Sequence, residues 1–395
     1  MSLHCCFVCE EYPPAPHGGT GSSYRDLSEG LVAAGHRVTV LGVHSPAKYD
    51  VGAGRQEVLS GVRVVRLPAA PAWLRYRGGA LLDRWRVRRW LEQEHKKTPF
   101  SIVEGSDYAG WLRFGAPAGV PSIVRIRGSN LFFDTELQRA GNKFEHALER
   151  EALARADFIG SVSRYAADKT LAVCGLADRE CTVLPNAVDM EVFSPDEGVP
   201  TERGLIVFVN SVNPKKGIEQ LLDAMNLIAA EHPEARLVVI GQDTQKPQGG
   251  QTYVERLLGR LKPEVRPRVQ FLGRLDRNKG VVGYLRRAQI CCYPSHMETF
   301  GIAVIEAMSV GKATIFSRTG PGPEVVVDGE SGFLCDPYDA ADIAGRLREL
   351  LSSPELCQRM GQKARERVKA YFDKRDWVRR NVEFFQACSS VSHTL

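Results

Sequence analysis

"HCCFVCEEYPPAPHGGTGSSYRDLSEGLVAAGHRVTVLG", residues 4–42, begins and ends with an apolar run typical of a buried strand. A glycine-rich loop, residues 13–23, and a helical pattern, residues 24–35, lie between the two runs. Strand, loop, helix and strand in this order are typical of a βαβ unit, in which the two strands are parallel. The beginning of the chain is therefore predicted to form a parallel sheet covered by helices.

The same alternation of apolar runs and helical patterns continues along the chain in two sets. The runs are VRVVRL, SIVEG, SIVRIRG, DFIGSV and CTVLP in the first set, and LIVFVN, RLVVIG, VQFLG, ICCYP, ATIFS and GFLC in the second. Continuous apolar strands between helices indicate parallel sheets covered on both faces. We predict an α/β fold with two doubly wound parallel-sheet, Rossmann-like domains facing a cleft. They are predicted to span residues 1–198 and 199–372, with Ser194–Gly204 as the linker.

Composition and cysteine placement limit the class of protein. The chain of 395 residues is 43% apolar and 25% charged, which is ordinary globular composition. No apolar run approaches the roughly 18 residues of a membrane-spanning helix, and no signal peptide is visible. Seven cysteines lie in or beside apolar runs, and the Cys6–Cys9 spacing has no second pair or histidine cluster beside it. We predict a cytoplasmic protein without structural disulfides or metal, and we expect no nucleic acid among its partners.

Residues 75–97, "RYRGGALLDRWRVRRWLEQEHKK", carry eight Lys or Arg residues against three acidic ones. The formal net charge of the whole chain is +5, so the rest of it is near neutral. Apolar residues in this segment do not form a single face of the kind that lies in a membrane interface. Two interpretations stay open: a solvated, locally packed helix, or peripheral contact with the inner face of an anionic membrane or with a polyanionic acceptor.

"SHMETFGIAVIEAM", residues 295–308, places two glutamates around the start of an apolar helix. Gly301 lies at the predicted helix start, where unpaired backbone N–H groups attract an anion such as phosphate. Glu298 precedes the helix and Glu306 lies on it. Since carboxylates accept hydrogen bonds from sugar hydroxyls, the combination points to a sugar phosphate or a nucleotide.

Two further loops follow strands, and ligands of open parallel sheets bind at the carboxyl ends of the strands. Gly18 and Gly19 follow the first strand and permit close approach of a ligand to the backbone. Lys216 precedes a glycine-initiated helix, where its ammonium group and the helix start can share one phosphate. The sequence "GTGSSY" lacks the third glycine of a dinucleotide fingerprint, which disfavours a nicotinamide cofactor.

The quoted segments, together with "VLPNAVDMEVFSP" and "PGPEVVVDGESGFLCDP", resemble the retaining glycosyltransferases of family four. The resemblance runs from about Cys6 to Leu351. Its most specific part is "ETFGIAVIEAMSVG", which is similar to the E-x-F-G-x-x-x-x-E-A-M-x-x-G signature of that family. It implies the GT-B fold, with an acceptor-binding first domain, a second domain that binds a nucleotide sugar, and a final helix, residues 373–395, that packs back toward the first domain.

The family pattern, carried over position by position, implies roles for individual residues. Glu298 and Lys216 are implied to be catalytic, with Glu298 holding the hydroxyls of the donor sugar and Lys216 meeting the diphosphate. Glu306 is implied to accept hydrogen bonds from the ribose. The other implied donor-binding positions are Gly18 and Gly19 at the diphosphate, Phe300, Gly301 and Ile302 at the sugar and diphosphate, and Arg274 and Leu275 at the nucleobase. The family needs no metal ion and no cofactor besides its donor.

Two positions depart from the family pattern. Ser211 stands where the family has a diphosphate-binding arginine, so a charge-assisted hydrogen bond is lost. Arg127 stands where the first domain often has a histidine, and a guanidinium cannot act as a general base. Arg127, Arg125 and Asp107 follow strands of the first domain and are our candidates for the acceptor side.

We therefore predict a metal-independent, retaining hexosyltransferase-type enzyme of polysaccharide or glycoconjugate biosynthesis. Its partners would be a UDP- or GDP-sugar and a hydroxyl acceptor, which is a saccharide, a lipid-linked molecule or a small molecule. The alternative is a catalytically weak or silent sugar-nucleotide-binding GT-B protein that acts as a regulatory or partner-dependent subunit. Ser211 and Arg127 motivate this alternative.

Overall fold

The computed structural model describes residues 2–15, 18–44, 55–74 and 78–391. The chain forms two compact units: unit 1 contains the residues up to Asn186 and those from Lys374 on, and unit 2 is Ala187–Asp373. The segment proposed as a linker, Ser194–Gly204, lies in unit 2 and not between the units. Its neighbour Phe193 is fully buried and accepts a hydrogen bond from Ser309 Oγ at 2.6 Å, which fastens this part of the chain to unit 2.

Unit 1 is built on one eight-stranded sheet with the strand order β3-β4-β2-β1-β5-β6-β7-β8. Its strands are β1 His4–Val8, β2 Arg37–His44, β3 Gln56–Leu59, β4 Val62–Pro68, β5 Ile102–Ser106, β6 Ser122–Ile126, β7 Phe158–Ser161 and β8 Thr182–Val183. Its helices are α1 Gly19–Ala33, α2 Ala80–Lys97, α3 Asn130–Glu136, α4 Lys143–Arg155, α5 Arg164–Cys174 and α13 Lys374–Val391. The central strands β1, β5 and β6 are buried along their whole length, as their apolar sequences predict.

The edge of this sheet differs from the prediction. Strand β3 pairs antiparallel with β4, with Gln56 opposite Val65. Its sequence, QEVL, alternates between exposed and partly buried positions, and Val58 is 70% exposed. An edge strand of this kind lacks the continuous apolar run that identified the buried strands, so it could not be predicted from that pattern.

Unit 2 is built on a six-stranded, wholly parallel sheet with the order β11-β10-β9-β12-β13-β14. Its strands are β9 Leu205–Val209, β10 Arg236–Ile240, β11 Val269–Phe271, β12 Ile290–Tyr293, β13 Ala313–Ser317 and β14 Phe333–Cys335. Its helices are α6 Ile218–Ile228, α7 Tyr253–Leu258, α8 Val282–Arg287, α9 Ile302–Ser309, α10 Gly322–Val325, α11 Ala340–Ser352 and α12 Pro354–Tyr371. Two parallel-sheet α/β units confirm the predicted fold class.

Within the described ranges, none of the helices is long and apolar enough to cross a membrane. Nine of the ten cysteines are buried and all ten are free thiols. The cysteines of the first apolar run, Cys5 and Cys6, are fully enclosed in the core of unit 1. They therefore act as small apolar side chains, as their place in the strand predicted.

Candidate functional site

Glu298 lies in the loop between β12 and α9, and three donors surround one of its oxygens. Glu298 Oε1 is 2.5 Å from Lys216 Nζ, 3.2 Å from Asn210 Nδ2 and 3.4 Å from Ser295 Oγ. The side chains of Lys216 and Glu298 are only 12% and 16% exposed. The two residues that the sequence singled out are thus in direct contact, in a partly desolvated ion pair.

Backbone packing brings the loops of Lys216 and Glu298 together. Gly217 separates Lys216 from α6 and has a φ of 69°, a left-handed conformation that glycine adopts without strain. A Cβ atom at Gly217 would lie 1.7 Å from the carbonyl oxygen of Pro294, directly after β12. Met297 N donates to Lys215 O at 3.3 Å. Only glycine permits this close approach, which holds the ammonium group beside the carboxylate.

Ser211 lies in the same loop as Asn210, at the carboxyl end of β9. Ser211 Oγ accepts a hydrogen bond from Asn213 Nδ2 at 2.8 Å, and its backbone N–H donates to Asn210 Oδ1 at 3.0 Å. Ser211, which replaces the arginine of the family, is thus held in the loop by hydrogen bonds to Asn210 and Asn213. The cation of this loop that contacts Glu298 is Lys216.

The apolar helix predicted after Glu298 is α9, and it begins after Gly301 as expected. Gly301 has a φ of 100°, and a Cβ atom there would lie 2.9 Å from the ring of Phe316. Phe300 is 2% exposed and its ring contacts that of Phe372 edge-on at 5.6 Å. These contacts fix the start of α9, where the first backbone N–H groups, including that of Ile302, have no helical acceptor.

Glu306 forms an ion pair with Arg277, which was not among the predicted site residues. The residue is 4% exposed, and its Oε1 lies 2.5 Å from Arg277 Nε. Arg277 follows the predicted nucleobase positions Arg274 and Leu275, which lie in the loop after β11. Of these two, Arg274 is exposed and Leu275 is partly buried. The two signature glutamates of unit 2 are therefore each paired with a cation.

In unit 1, the glycine-rich segment forms the start of α1, which begins at Gly19, whereas the predicted helix begins at residue 24. Gly18 precedes the helix, and its backbone N–H donates to Glu11 Oε2 at 3.2 Å. An acidic side chain here complements the positive end of the helix. Glu11 thus contacts the amide that was predicted to bind a phosphate, a contact that no sequence pattern indicated.

Arg127 is 7% exposed and belongs to a polar cluster in unit 1. Its Nη1 lies 2.9 Å from Ser23 Oγ and 3.1 Å from Asn186 Oδ1, and Ser23 Oγ is 2.8 Å from that same Asn186 oxygen. The guanidinium carbon lies 4.5 Å from the centre of the Tyr24 ring, a cation–π contact. This cluster joins the start of α1 to the loop after β6.

Asp107 is fully buried and binds the backbone of the loop that contains Arg127. Its Oδ1 accepts hydrogen bonds from the backbone N–H groups of Arg127 at 2.8 Å and Gly128 at 3.2 Å. Loss of hydration raises the pKa of Asp107 to about 7. Asp107 has no exposed surface, so it cannot contact an acceptor directly as predicted. Its carboxyl group instead positions the backbone of the loop.

Arg125 does not have the acceptor-side place predicted for it. Its side chain is fully buried and donates from Nε and Nη2 to the two oxygens of Glu104, at 2.8 and 2.7 Å. Nη2 also donates to Asn381 on α13, at 2.8 Å. Every residue of β6 is buried, so residue 125 lies in the interior of unit 1, where Glu104 of the neighbouring strand β5 compensates its charge. Arg125 is therefore a core residue that joins β6, β5 and α13.

The outer surface of α2 carries aromatic and basic side chains. Trp85 is 46% exposed, and the guanidinium of Arg89 lies 5.2 Å from its ring centre. A groove beside them is lined by Leu67, Pro68, Trp85, Arg86, Arg89, Trp90 and Gln93. Arg84 instead turns inward and donates to the carbonyl of Ala109. Residues 75–77 of the predicted basic segment lie outside the described residues.

Comparison with known proteins gives two family matches that together span most of the chain. Residues 17–192 match Glycosyltransferase Family 4, and residues 189–367 match Glycosyl transferases group 1. The chain is similar to glycogen synthase of Mycobacterium tuberculosis, at 27% identity over 94% of this chain and 91% of that protein. It is also similar to the phosphatidyl-myo-inositol mannosyltransferase of Mycolicibacterium smegmatis, at 26% identity over 95% of this chain and 91% of that protein.

Solved structures share the fold over almost the whole chain. Sucrose-phosphate synthase from Thermosynechococcus elongatus matches with a TM-score of 0.81 and 23% identity, over 98% of this chain and 100% of that one. Anabaena HepE in complex with UDP-glucose matches with a TM-score of 0.76 and 16% identity, over 98% and 100%. These likenesses and the two parallel-sheet α/β units show the GT-B fold. The two family matches show that the chain belongs to the glycosyltransferases of family four.

Proposed function

We propose that this glycosyltransferase moves a sugar from a nucleotide-sugar donor to a hydroxyl acceptor with retention of the anomeric configuration. The observation that carries the proposal is the contact between Lys216 and Glu298, at the carboxyl ends of the neighbouring strands β9 and β12. A cation for a phosphate and a carboxylate for sugar hydroxyls stand side by side, as transfer from a sugar diphosphate requires.

Lys216 is proposed to stabilise the departing nucleoside diphosphate. Negative charge grows on the leaving oxygen as its bond to the anomeric carbon breaks, and a nearby ammonium group stabilises that charge more in the transition state than in the ground state. The acceptor oxygen forms its bond to the anomeric carbon on the face from which the diphosphate leaves. Its proton passes to the leaving phosphate oxygen, because the first unit has an arginine, Arg127, where a histidine base is usual. The products are the glycoside and the nucleoside diphosphate.

Glu298 and Asn210 are proposed to hold the donor sugar, and Glu306 the ribose. The start of α9, with Phe300, Gly301 and Ile302, would contact the diphosphate through backbone N–H groups. Glu306→Ala is expected to weaken donor binding by about 1–3 kcal/mol, because ribose hydroxyls would lose a buried acceptor. Gly18 and Gly19 are proposed to bind a diphosphate, in exchange for the carboxylate of Glu11.

UDP- and GDP-sugars are the donors that we propose to test first. HepE, which shares the fold, has been solved with UDP-glucose, and the resemblance of the sequence to family four supports both nucleotides. We propose that the reaction needs no metal ion, as in that family. Among the residues that the structure describes, no group of three or more His, Cys, Asp or Glu side chains is arranged to hold one.

Ser211 favours a second candidate function, a sugar-nucleotide-binding protein with little or no transferase activity. A serine supplies no charge to the diphosphate, so a single cation, Lys216, would have to balance the leaving group from this loop. The two candidates differ in turnover: a silent binder is stabilised by nucleotide, yet it releases no more nucleoside diphosphate than its Glu298→Ala variant.

The anomeric outcome tests the proposed reaction. Thermal unfolding with a panel of nucleotides first identifies the donor base, because a ligand at a hundred times its dissociation constant stabilises the folded state by roughly 2.7 kcal/mol. NMR of the product formed from the matching α-linked donor then gives the configuration. An α-product supports the proposal, and a β-product rejects the retaining mechanism.

Peripheral membrane contact is the proposed role of the outer surface of α2. Trp85 offers an indole suited to a membrane interface, and Arg86 and Arg89 offer positive charge. Each arginine is expected to contribute about fivefold to binding of vesicles rich in phosphatidylglycerol, through roughly 1 kcal/mol per charge. Arg86→Gln and Arg89→Gln should each weaken sedimentation with these vesicles, while neutral vesicles bind neither variant nor the original protein. Equal binding of all three proteins to anionic vesicles would remove this role.

A further inference from the structure

Glu306 forms an ion pair with Arg277, a residue for which the family pattern implies no role. Arg277 Nε lies 2.5 Å from Glu306 Oε1, and the side chains are 24% and 6% exposed. The guanidinium carbon also lies 5.1 Å from the centre of the Phe193 ring. That ring belongs to a fully buried residue whose carbonyl is held by Ser309 Oγ at 2.6 Å, on the same helix as Glu306.

The backbone before α8 fixes where Arg277 begins. Residues Arg277–Val281 form a π-helical turn, and Asp276 caps it by accepting from the N–H groups of Asn278 at 3.1 Å and Lys279 at 2.8 Å. Val281 N donates to Asp276 O at 2.9 Å, which closes the turn. Arg277 therefore begins a capped turn, and its side chain contacts both Glu306 and the ring of Phe193.

We propose that Arg277 is a positioning residue of the donor site, which keeps Glu306 ionised and oriented so that its carboxylate accepts the ribose hydroxyls. The inference rests on the proposed function of Glu306. A carboxylate with 6% exposure is costly to keep charged without a counter-ion, and an adjacent guanidinium removes that cost.

The contact between Arg277 and Glu306 is also compatible with a competing role for the arginine. In that role Arg277 occupies the place of the ribose, and the donor has to displace it. The two roles predict opposite signs. Removal of a positioning residue weakens nucleotide binding, whereas removal of a competitor strengthens it. Burial favours positioning: Glu306 is the more enclosed partner, at 6% exposure, so an exchange would separate a buried carboxylate from the guanidinium beside it.

The test compares Arg277→Gln, Arg277→Lys and a matched control, Arg348→Gln. Arg348 forms an exposed pair of 2.8 Å with Glu231 in the same unit, so this control removes an arginine–glutamate pair outside the site. The dissociation constants of UDP and GDP are measured by calorimetry, and the release of nucleoside diphosphate from UDP-glucose and GDP-mannose gives kcat and KM. Arg277→Gln should raise Kd and KM about ten- to hundredfold with kcat changed little. Arg277→Lys should recover part of the loss, and Arg348→Gln should match the original protein.

A double variant separates this inference from the proposed function. If Glu306→Gln alone weakens nucleotide binding and Arg277→Gln adds nothing to it, the two residues act as one unit, as the inference requires. If Glu306→Gln weakens binding but Arg277→Gln leaves Kd unchanged or lowers it, the inference fails and the proposed site stands. If neither nucleotide binds the original protein, or Glu306→Gln has no effect, the proposed donor site fails and this inference fails with it.

Discussion

The buried pair Arg125–Glu104 gives a prediction whose size follows directly from the structure. Both side chains are 0% exposed, and two hydrogen bonds of 2.8 and 2.7 Å join them, while Asn381 accepts a third at 2.8 Å. The substitution Arg125→Met replaces the guanidinium group with a shorter apolar side chain and leaves the Glu104 carboxylate uncompensated in the core. Breaking one partner of such a pair costs about 3–5 kcal/mol, so we expect unit 1 to lose most of its stability.

Tryptophan fluorescence reports on unit 1 alone, which makes the assay selective. The five tryptophans of the chain are Trp73, Trp85, Trp90, Trp111 and Trp377, and all belong to unit 1. Urea unfolding followed by their emission should show a much lower midpoint for Arg125→Met. The control is Arg113→Met, which removes a partly exposed pair of 2.6 Å with Glu151 in the same unit and should cost no more than about 1 kcal/mol.

A second variant keeps the prediction testable if Arg125→Met does not fold. Replacement of both partners, Glu104→Leu with Arg125→Met, removes the stranded charge and should recover most of the lost stability. The reasoning would be refuted if Arg125→Met unfolded within about 1 kcal/mol of the original protein while losing its transfer activity. That result would return Arg125 to the acceptor side, where the sequence had placed it.

Lys216→Ala should lower kcat by about a hundredfold and weaken nucleotide binding, because the charge that it meets grows in the transition state; an unchanged kcat would remove Lys216 from the chemistry. Gly217→Ala should weaken nucleotide binding, since its Cβ would lie 1.7 Å from Pro294 O, whereas Gly345→Ala meets no atom within 4 Å and should bind as the original protein does. Burial raises the pKa of Asp107 to about 7, so its uncharged form stabilises unit 1 below about pH 4, and this contribution is lost as the pH rises to about 7. Asp107→Asn should therefore flatten the fall in stability between pH 4 and 7 measured by tryptophan emission, and an unaltered slope would exclude this source.

The fold could be predicted from the sequence because parallel strands buried on both faces have continuous apolar runs. Strands such as β9, LIVFV, and β12, ICCY, carry that signal directly. Strand β3 carries none, because it is an exposed edge strand. The start of α1 was also placed too late, because residues 19–23 were interpreted as part of a glycine-rich loop although they belong to the helix.

Some residues of the candidate site could be predicted from the sequence and others could not. Lys216 and Glu298 were found because each follows a strand within a recognisable local pattern, and the contact between them follows from the pairing of β9 with β12. Arg277 was missed because its partner is 29 residues away and the contact depends on a π-helical turn with no distinct sequence signal. The burial of Arg125 was missed because its charge is compensated by Glu104, which lies 21 residues earlier in the chain on the neighbouring strand β5.

Transfer of a sugar from a nucleotide donor is proposed to depend on the Lys216–Glu298 pair. The most direct measurement is the rate of nucleoside diphosphate release from UDP- and GDP-sugars by the original protein and by Glu298→Gln, with Glu231→Gln on the surface of unit 2 as the control. We predict a measurable rate with at least one donor, an unchanged rate in Glu231→Gln and a rate at least about a hundredfold lower in Glu298→Gln. Equal rates in the original protein and in Glu298→Gln would contradict the account and favour a silent nucleotide-binding protein.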